Sequence, residues 1–180
     1  MLRSMFHAAA ALAVGLAAAP AAAQKTTEIH PGKGGSPHVR TEWVVDGANL
    51  SIEYGRPYLN GRADQKVMPP GKVWRTGADE ATTLRTDRTL VFGTLTLQPG
   101  AYTLWTIPGD KQWELVVNKQ TGQGGTAYQQ KEDLGRVPMT LQKPDKPVEQ
   151  LTIAIDDTPA GATLRIEWGL SRASVPFTVR

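Results

Sequence analysis

Charged and hydrogen-bonding side chains are concentrated in the segment VWRTGADEATTLRT, residues 73–86. Arg75 is followed by two adjacent carboxylates, Asp79 and Glu80. An arginine fork pairs with carboxylates and phosphates through two parallel hydrogen bonds, so this segment can support the binding of an anion. The two carboxylates are also candidate acids or bases. Neighbouring residues of a strand face opposite sides, however, which makes them a poor acid–base pair.

A second polar segment, YGRPYLNGR at residues 54–62, contributes Arg56 and Arg62. The Pro-Pro-Gly run at residues 69–71 forces a tight turn between the two segments. We therefore expect both arginines to face the first segment across this bend. The predicted polar cluster comprises Arg56, Arg62, Trp74, Arg75, Thr76, Asp79, Glu80 and Thr82.

Three functions remain open for this cluster. The favoured hypothesis is a binding module of the cell envelope that holds a small anionic or sugar-like ligand. One alternative is a hydrolase-type enzyme that uses Glu80, and the other is a structural or assembly protein in which an Arg75–Glu80 ion pair only ties a loop to the fold. Trp74 beside a Pro/Gly turn favours a core position over a sugar-stacking platform.

Several reaction types lack the residues that they need. The chain has no cysteine, and no serine stands between glycines as in a nucleophile elbow. His30 and His38 fall in or beside a polar, Gly/Pro-rich lead-in, so neither a catalytic triad nor a metal site is predicted. The glycines of GQGG lack the strand-to-helix context of a phosphate loop. We therefore predict no cofactor, no metal and no assigned catalytic residue.

Alternating apolar and polar residues dominate the chain after the lead-in. This period of two is typical of half-buried strands. Turn signals recur about every ten residues, among them Asp46-Gly47, which predicts a hairpin. The pattern predicts an all-β fold, namely a single antiparallel β-sandwich or jelly-roll-like domain of about 9–10 strands with at most one short helix. The clearest runs are NLSIEY, WELVV, LTIAID, LRIEW and VPFTV.

The N-terminal residues have the pattern of an export signal. Arg3 precedes an Ala-rich apolar run that ends in small residues at Ala23. We expect residues 1–23 to be a cleaved signal peptide, residues 24–37 a flexible lead-in and residues 38–180 the β domain. The expected location is the periplasm or the exterior, with no transmembrane segment after cleavage. The charges are interspersed, so no nucleic-acid partner is predicted despite a net charge of +3.

The order of several motifs resembles the domain of unknown function 2911 family. These motifs, between Ser36 and the C-terminus, are IEYGRPYLNGR, VWRTGADEAT, LQPGAYTLWTIP, WELVVN and YQQKEDLGRV. The resemblance implies a mostly β domain of an exported bacterial protein. It implies no established activity, so it assigns no catalytic residue.

Two positions depart from that family. Asn is usual where Asp79 stands here, which weakens Asp79 as a catalytic acid and makes Arg75 and Glu80 the better candidates. Phe is usual where Trp105 stands, which fits a packing role. The oligomeric state, the ligand and any protein partner remain undetermined by the sequence.

Overall fold

The computed structural model describes residues 24–180, which form an almost entirely β domain. The predicted signal peptide at residues 1–23 lies outside the described residues. The all-β class with at most one short helix is confirmed: the only α-helix within residues 24–180 is α1, Asp64–Val67. A 3₁₀ turn follows at Gln130–Glu132. Nowhere in this range is a helix long and apolar enough to cross a membrane.

Twelve strands are described, somewhat more than predicted. They are β1 Lys25–His30, β2 His38–Val45, β3 Ala48–Gly55, β4 Thr83–Thr86, β5 Leu90–Phe92, β6 Leu95–Leu97, β7 Gly100–Ile107, β8 Gln112–Asn118, β9 Asp133–Gln142, β10 Val148–Thr158, β11 Gly161–Gly169 and β12 Ser171–Val179.

The strands form one continuous antiparallel sheet in the order β1-β2-β3-β4-β7-β8-β9-β12-β11-β10. The short β5–β6 hairpin is attached to β12. The sheet curls into a half-barrel. The predicted β-sandwich would consist of two packed sheets, whereas the structure has a single curled sheet. The predicted hairpin at Asp46-Gly47 joins β2 to β3, with both residues at positive φ.

The curl brings the chain after β3 against the start of β10. Tyr58 pairs with Gln150 as an isolated bridge, and the amide of Leu59 donates to the carbonyl of Glu149 at 2.9 Å. The amide of Leu151 donates to the carbonyl of Pro57 at 3.0 Å. This seam closes the apolar face of the sheet around one core.

Three tryptophans pack together in that core. Trp74 stacks on Trp168 with ring centroids 5.7 Å apart, and it meets Trp113 edge-on at 6.1 Å. The core position favoured for Trp74 is confirmed, and Trp113 and Trp168 belong to the same core cluster. Trp105 lies in a smaller buried cluster with Ala81 and Val116. That cluster packs under the loops that carry the polar segment of residues 73–86.

The N-terminal strand β1 differs from the expected flexible lead-in. Its residues pair with β2, and His30 lies opposite His38. The side chains of β1 are almost all exposed. Backbone hydrogen bonds therefore hold this strand, and the apolar alternation that would mark it in the sequence is missing. The turn between β1 and β2 places the two histidines side by side.

The seam makes a testable prediction about Tyr54. Its buried hydroxyl accepts the amide N–H of Ile153 at 3.0 Å and donates to the Ile153 carbonyl at 3.4 Å. Tyr54→Phe leaves both backbone groups without this partner, so we expect the free energy of unfolding to fall by about 1–3 kcal/mol in urea denaturation. Tyr58→Phe, at the more exposed residue of the same seam, should change it by less than about 0.5 kcal/mol. Equal losses in the two variants would contradict the role of the Tyr54 hydroxyl.

Candidate functional site

The loop between Trp74 and Thr82 carries the polar residues out of the core. The Trp74 amide donates to the Thr106 carbonyl at 2.7 Å, and the Thr106 amide donates back at 3.0 Å. Thr76 is fully buried, and its hydroxyl lies 3.2 Å from the Trp74 carbonyl and 3.1 Å from the Thr106 hydroxyl. The Thr82 hydroxyl donates to the Thr76 carbonyl at 2.9 Å. Trp74, Thr76 and Thr82 are thus scaffold for this loop.

Two residues of the loop adopt the left-handed backbone conformation. Thr76 has φ of 54° and Asp79 has φ of 60°. Such values are unfavourable for a β-branched residue, and backbone strain of this kind costs about 1–3 kcal/mol. It persists only where the surroundings enforce it. The buried hydrogen bonds of Thr76 do so here, and the loop consequently turns the side chains of Arg75 and Glu80 outwards.

A glycine-containing loop at residues 122–126 forms the opposite wall. The amide of Gly125 donates to the Asp79 carbonyl at 2.8 Å, and the amide of Ala81 donates to the Gln123 carbonyl at 3.1 Å. A Cβ atom at Gly125 would come within 2.8 Å of the Asp79 carbonyl oxygen and 2.9 Å of Arg75 Cδ. Only glycine allows the two loops to approach this closely.

The predicted convergence of Arg56 and Arg62 on this loop is wrong. Arg56 donates to the Leu151 carbonyl at 3.0 Å and to the Thr152 hydroxyl at 3.1 Å, so it stabilises the seam at β10. Arg62 donates to the carbonyls of Tyr58 and Leu59 in its own turn. Both guanidinium groups find acceptors close to their own segment, which turns them away from the cavities around Glu80.

The Arg75–Glu80 ion pair of the structural alternative is also absent from residues 24–180. Arg75 Nε instead donates to the Gly77 carbonyl at 3.0 Å. The Glu80 side chain is 57% exposed and faces two histidines. The charged side chains of this loop therefore lie in an open cleft and do not form a buried ion pair with each other.

Glu80 lies against His30 and His38. Glu80 Oε2 is 3.7 Å from His30 Nε2 and 3.2 Å from His38 Nδ1. The two imidazole rings stack with centroids 4.8 Å apart and planes 8° apart. All three ligand atoms lie within 4.8 Å of one another. Two imidazoles and a carboxylate form the donor set of many zinc and iron sites.

His38 is the most constrained member of this group. Its side chain is only 6% exposed. Its Nδ1 has no hydrogen-bond partner within residues 24–180, because the nearby Glu80 oxygen does not lie in hydrogen-bond alignment. Burial lowers the pKa of His38 below its usual value, although the negative charge of Glu80 opposes the shift. The ring is therefore held neutral at neutral pH.

The remaining polar contacts tie the turn at residues 31–37 to the loop. The Gly32 amide donates to His30 Nδ1 at 3.1 Å, and the Lys33 amide donates to Asp79 Oδ2 at 2.8 Å. Gly32 has φ of 69°, and a Cβ atom there would meet the Ser36 carbonyl oxygen at 1.8 Å. Asp79 thus acts as a clamp for this turn.

Two cavities open on either side of the histidine–carboxylate group. One has a volume of about 250 Å³, and Arg85 and Gln123 contribute to its wall. The other has a volume of about 460 Å³ and is lined by Lys33, Arg75 and Thr126. His30 and Glu80 line both cavities. An ion held by these residues would face both spaces.

Another cavity, of about 450 Å³, lies between α1 and the β11–β12 turn. Two carboxylates line it, Asp64 and Asp110, and Asp64 already accepts a hydrogen bond from the Leu170 amide at 2.7 Å. Met68 and Trp113 contribute apolar walls. Among residues 24–180, no histidine, lysine or arginine lines this cavity, in contrast to the cleft around Glu80.

Sequence reasoning missed both histidines of the site. It placed them in or beside a flexible segment, where imidazoles have no fixed orientation. The available signal was their position at the two ends of PGKGGSP, a run of turn formers at residues 31–37. A hairpin joined by that run would bring its flanking residues together.

Comparison with known proteins places this architecture in a family. A family described as "Protein of unknown function (DUF2911)" matches residues 36–177. The chain belongs to this family. The resemblance inferred from the motifs is thereby confirmed, and the match covers the sheet from β2 to residue 177 in β12. Neither a curated protein nor a solved structure matches the chain. The family description assigns no activity, so function has to be argued from the cleft.

The environment of His38 predicts how stability depends on pH in the metal-free protein. The pKa of His38 in the folded protein lies below the unfolded value of 6.5. The stability that the folded state gains from a neutral His38 is therefore fully present above about pH 6.5. As the pH falls below that value, the unfolded chain binds the proton first and stability decreases. The slope for one group is at most about 1.4 kcal/mol per pH unit.

The measurement is urea unfolding between pH 7.5 and pH 5 with a chelator present. The His38→Asn variant should lose this part of the slope. A difference between wild type and variant that does not change with pH would contradict the burial of a neutral His38.

Proposed function

We propose that this protein binds a divalent transition-metal ion through His30, His38 and Glu80. The observation that carries the proposal is the convergence of one ligand atom from each of these residues, together with a buried His38 Nδ1 that has no hydrogen-bond partner within residues 24–180. Buried polar atoms without partners are rare in folded proteins and call for an explanation, such as a bound ion.

The electrostatics of the His38–Glu80 contact favour a cation bound between the two side chains. A proton on His38 Nδ1 would be a buried N–H with no acceptor in line. A lone pair there would face a carboxylate oxygen 3.2 Å away. A cation between the two atoms satisfies both, since each then donates a lone pair to it. The low pKa of His38 keeps that lone pair available at neutral pH.

The distances are close to those of a metal site. Ligand atoms that surround a tetrahedral zinc ion lie about 3.3–3.6 Å apart, given metal–ligand bonds of about 2.0–2.2 Å. The contacts of Glu80 with His38 and His30, at 3.2 and 3.7 Å, bracket this range. The ligand nitrogens of the two rings are at most 4.8 Å apart, so the rings need to approach by about 1.5 Å at most.

Metal binding requires the hydrogen bond from Gly32 to His30 to break. Because His30 Nδ1 accepts this amide, the ring of the metal-free protein carries its proton on Nε2. Coordination through Nε2 moves the proton to Nδ1, so the Gly32 contact has to open. The turn contains three glycines at positive φ, Gly32, Gly34 and Gly35, whose backbones are sterically free to adopt other conformations.

The donor set selects the class of metal. The chain has no cysteine, so no thiolate is available. Imidazole and carboxylate suit Zn²⁺ and the neighbouring divalent first-row ions. Three protein ligands leave at least one coordination position open, as in catalytic rather than structural zinc sites.

This proposal replaces the scaffold hypothesis and modifies the hydrolase hypothesis. The open position of Glu80 and the missing Arg75–Glu80 ion pair support a ligand-binding role over a structural one. The hydrolase hypothesis makes Glu80 the catalytic residue, whereas in this proposal Glu80 is a metal ligand.

The test is titration of untagged protein with Zn²⁺ by calorimetry and with Co²⁺ by visible absorption. At 100 times the dissociation constant, a bound ion adds about 2.7 kcal/mol of stability. In a domain of this size the melting temperature then rises by about 5–10 °C. Glu80→Gln should weaken binding at least about tenfold, because it removes one ligand. The variant should fold, since the lost side chain is mostly exposed.

Glu28→Gln is the matched control. Glu28 is an exposed carboxylate on β1, close to His30 in sequence but absent from the walls of both cavities. It should bind Zn²⁺ as wild type does. Equal affinities of the wild-type and Glu80→Gln proteins would overturn the proposed site.

We further propose that the protein is exported to the periplasm or the exterior. The support is the signal-like sequence of residues 1–23, with its small residues before Gln24. Protein recovered from the envelope or medium of its host should begin at Gln24 when its N-terminus is sequenced. Recovery of the uncleaved chain from the cytoplasm would contradict export.

A further inference from the structure

Arg75 holds a guanidinium group that the fold does not use fully. Only its Nε is engaged, as the donor to the Gly77 carbonyl at 3.0 Å. Its terminal nitrogens have neither a hydrogen bond nor an ion pair within residues 24–180. The side chain is half-buried and lines the cavity of about 460 Å³. A half-buried arginine with free fork donors is suited to a planar oxyanion.

The loop holds this arginine in place. Its neighbour Thr76 is buried and strained, and hydrogen bonds to Trp74 and Thr106 fix it. The Arg75 stem packs against Gly125, at the point where a Cβ atom would come within 2.9 Å of Arg75 Cδ. A fixed donor loses little entropy on binding, which increases affinity for a small ligand.

The same cavity shares its wall with the proposed metal site. His30 and Glu80 line it together with Arg75 and Lys33. Its volume of about 460 Å³ is within the range of small-molecule sites. An ion on the histidines would have its open coordination position beside a space that an arginine fork also reaches.

The net charge of the cavity wall determines whether this cavity attracts an anion. Lys33 and Arg75 balance Asp79 and Glu80, so the formal charge of the wall is zero without metal. A divalent ion adds two positive charges. The attraction for an anion therefore depends on the metal, and half-burial limits its screening by salt.

We propose that Arg75 binds a small oxyanion, a carboxylate or phosphate, against the open coordination position of the ion held by His30, His38 and Glu80. This inference rests on the proposed metal site. One oxygen of the anion contacts the metal, and the others accept hydrogen bonds from the Arg75 terminal nitrogens. Lys33 adds a second positive charge at the rim. No bond is made or broken in this binding step.

The experiment titrates malonate and, separately, inorganic phosphate into Co²⁺-loaded and metal-free protein. Calorimetry measures affinity, and the visible spectrum of Co²⁺ reports direct contact with the metal. We expect at least one of the two anions to bind the loaded protein and change the spectrum. Its affinity for the metal-free protein should be at least about tenfold weaker. The two anions distinguish carboxylate from phosphate ligands.

Three variants locate the anion. Arg75→Lys keeps the charge but loses the fork, and Arg75→Gln loses both. Each substitution should weaken anion binding at least about tenfold, and the Arg75→Gln variant should have the lower affinity of the two. Both should retain the Co²⁺ spectrum and Co²⁺ affinity of wild type. Arg85→Gln is the matched control, since Arg85 lines only the cavity of about 250 Å³.

The outcomes separate this inference from the metal proposal. If Co²⁺ binds at the histidines but neither anion changes its spectrum, the oxyanion site is wrong and the metal site stands. Loss of anion binding in Arg85→Gln rather than in the Arg75 variants would overturn the assignment to Arg75. If no divalent ion binds to the protein, both proposals fail.

Discussion

The double hydrogen bond between the backbones of Trp74 and Thr106 is the contact on which the cleft depends. It attaches the polar loop to β7 at a point where the indole of Trp74 is stacked in the core. The loop therefore starts at a residue that is packed in the core. It returns to the sheet at Thr82, whose hydroxyl closes the loop on Thr76. Core packing thus determines where Arg75 and Glu80 point, although neither side chain belongs to the core.

Two sets of segments form the cleft. The first comprises the strained loop at residues 75–81, β2 with His38, and the loop of Gly125. The second is β1 and the glycine turn that follows it, whose side chains are largely exposed. His30 lies in this second set, and the hydrogen bond from Lys33 to Asp79 ties its turn to the first set. The two imidazoles therefore differ in exposure, since the His38 side chain is 6% exposed and the His30 side chain is 40% exposed.

Periodicity and turn chemistry identify five of the twelve strands directly, namely β3, β8, β10, β11 and β12, together with the hairpin between β2 and β3. Alternating apolar residues in NLSIEY or LTIAID mark strands because one face is buried and the other is not. The same reasoning failed for β1, since backbone pairing leaves no pattern of buried side chains. It also failed for the arginines. Arg56 and Arg62 are satisfied by carbonyl groups at the seam, and carbonyl groups have no signature in a sequence.

The sequence by itself determined the all-β class, several turn positions, the absence of cysteine thiols and the concentration of polar residues around Arg75 and Glu80. These follow from local preferences, from composition and from motif order. Only the tertiary structure decided the partners of Glu80. The pairing of β1 with β2 brings His30 beside His38, and the positive φ of Asp79 and the pairing with residue 124 bring Glu80 to both. The contacts of Glu80 with the two histidines join residues 42 and 50 positions apart, and side-chain chemistry at each position is compatible with many other neighbours. Sheet register and loop closure select one arrangement among them.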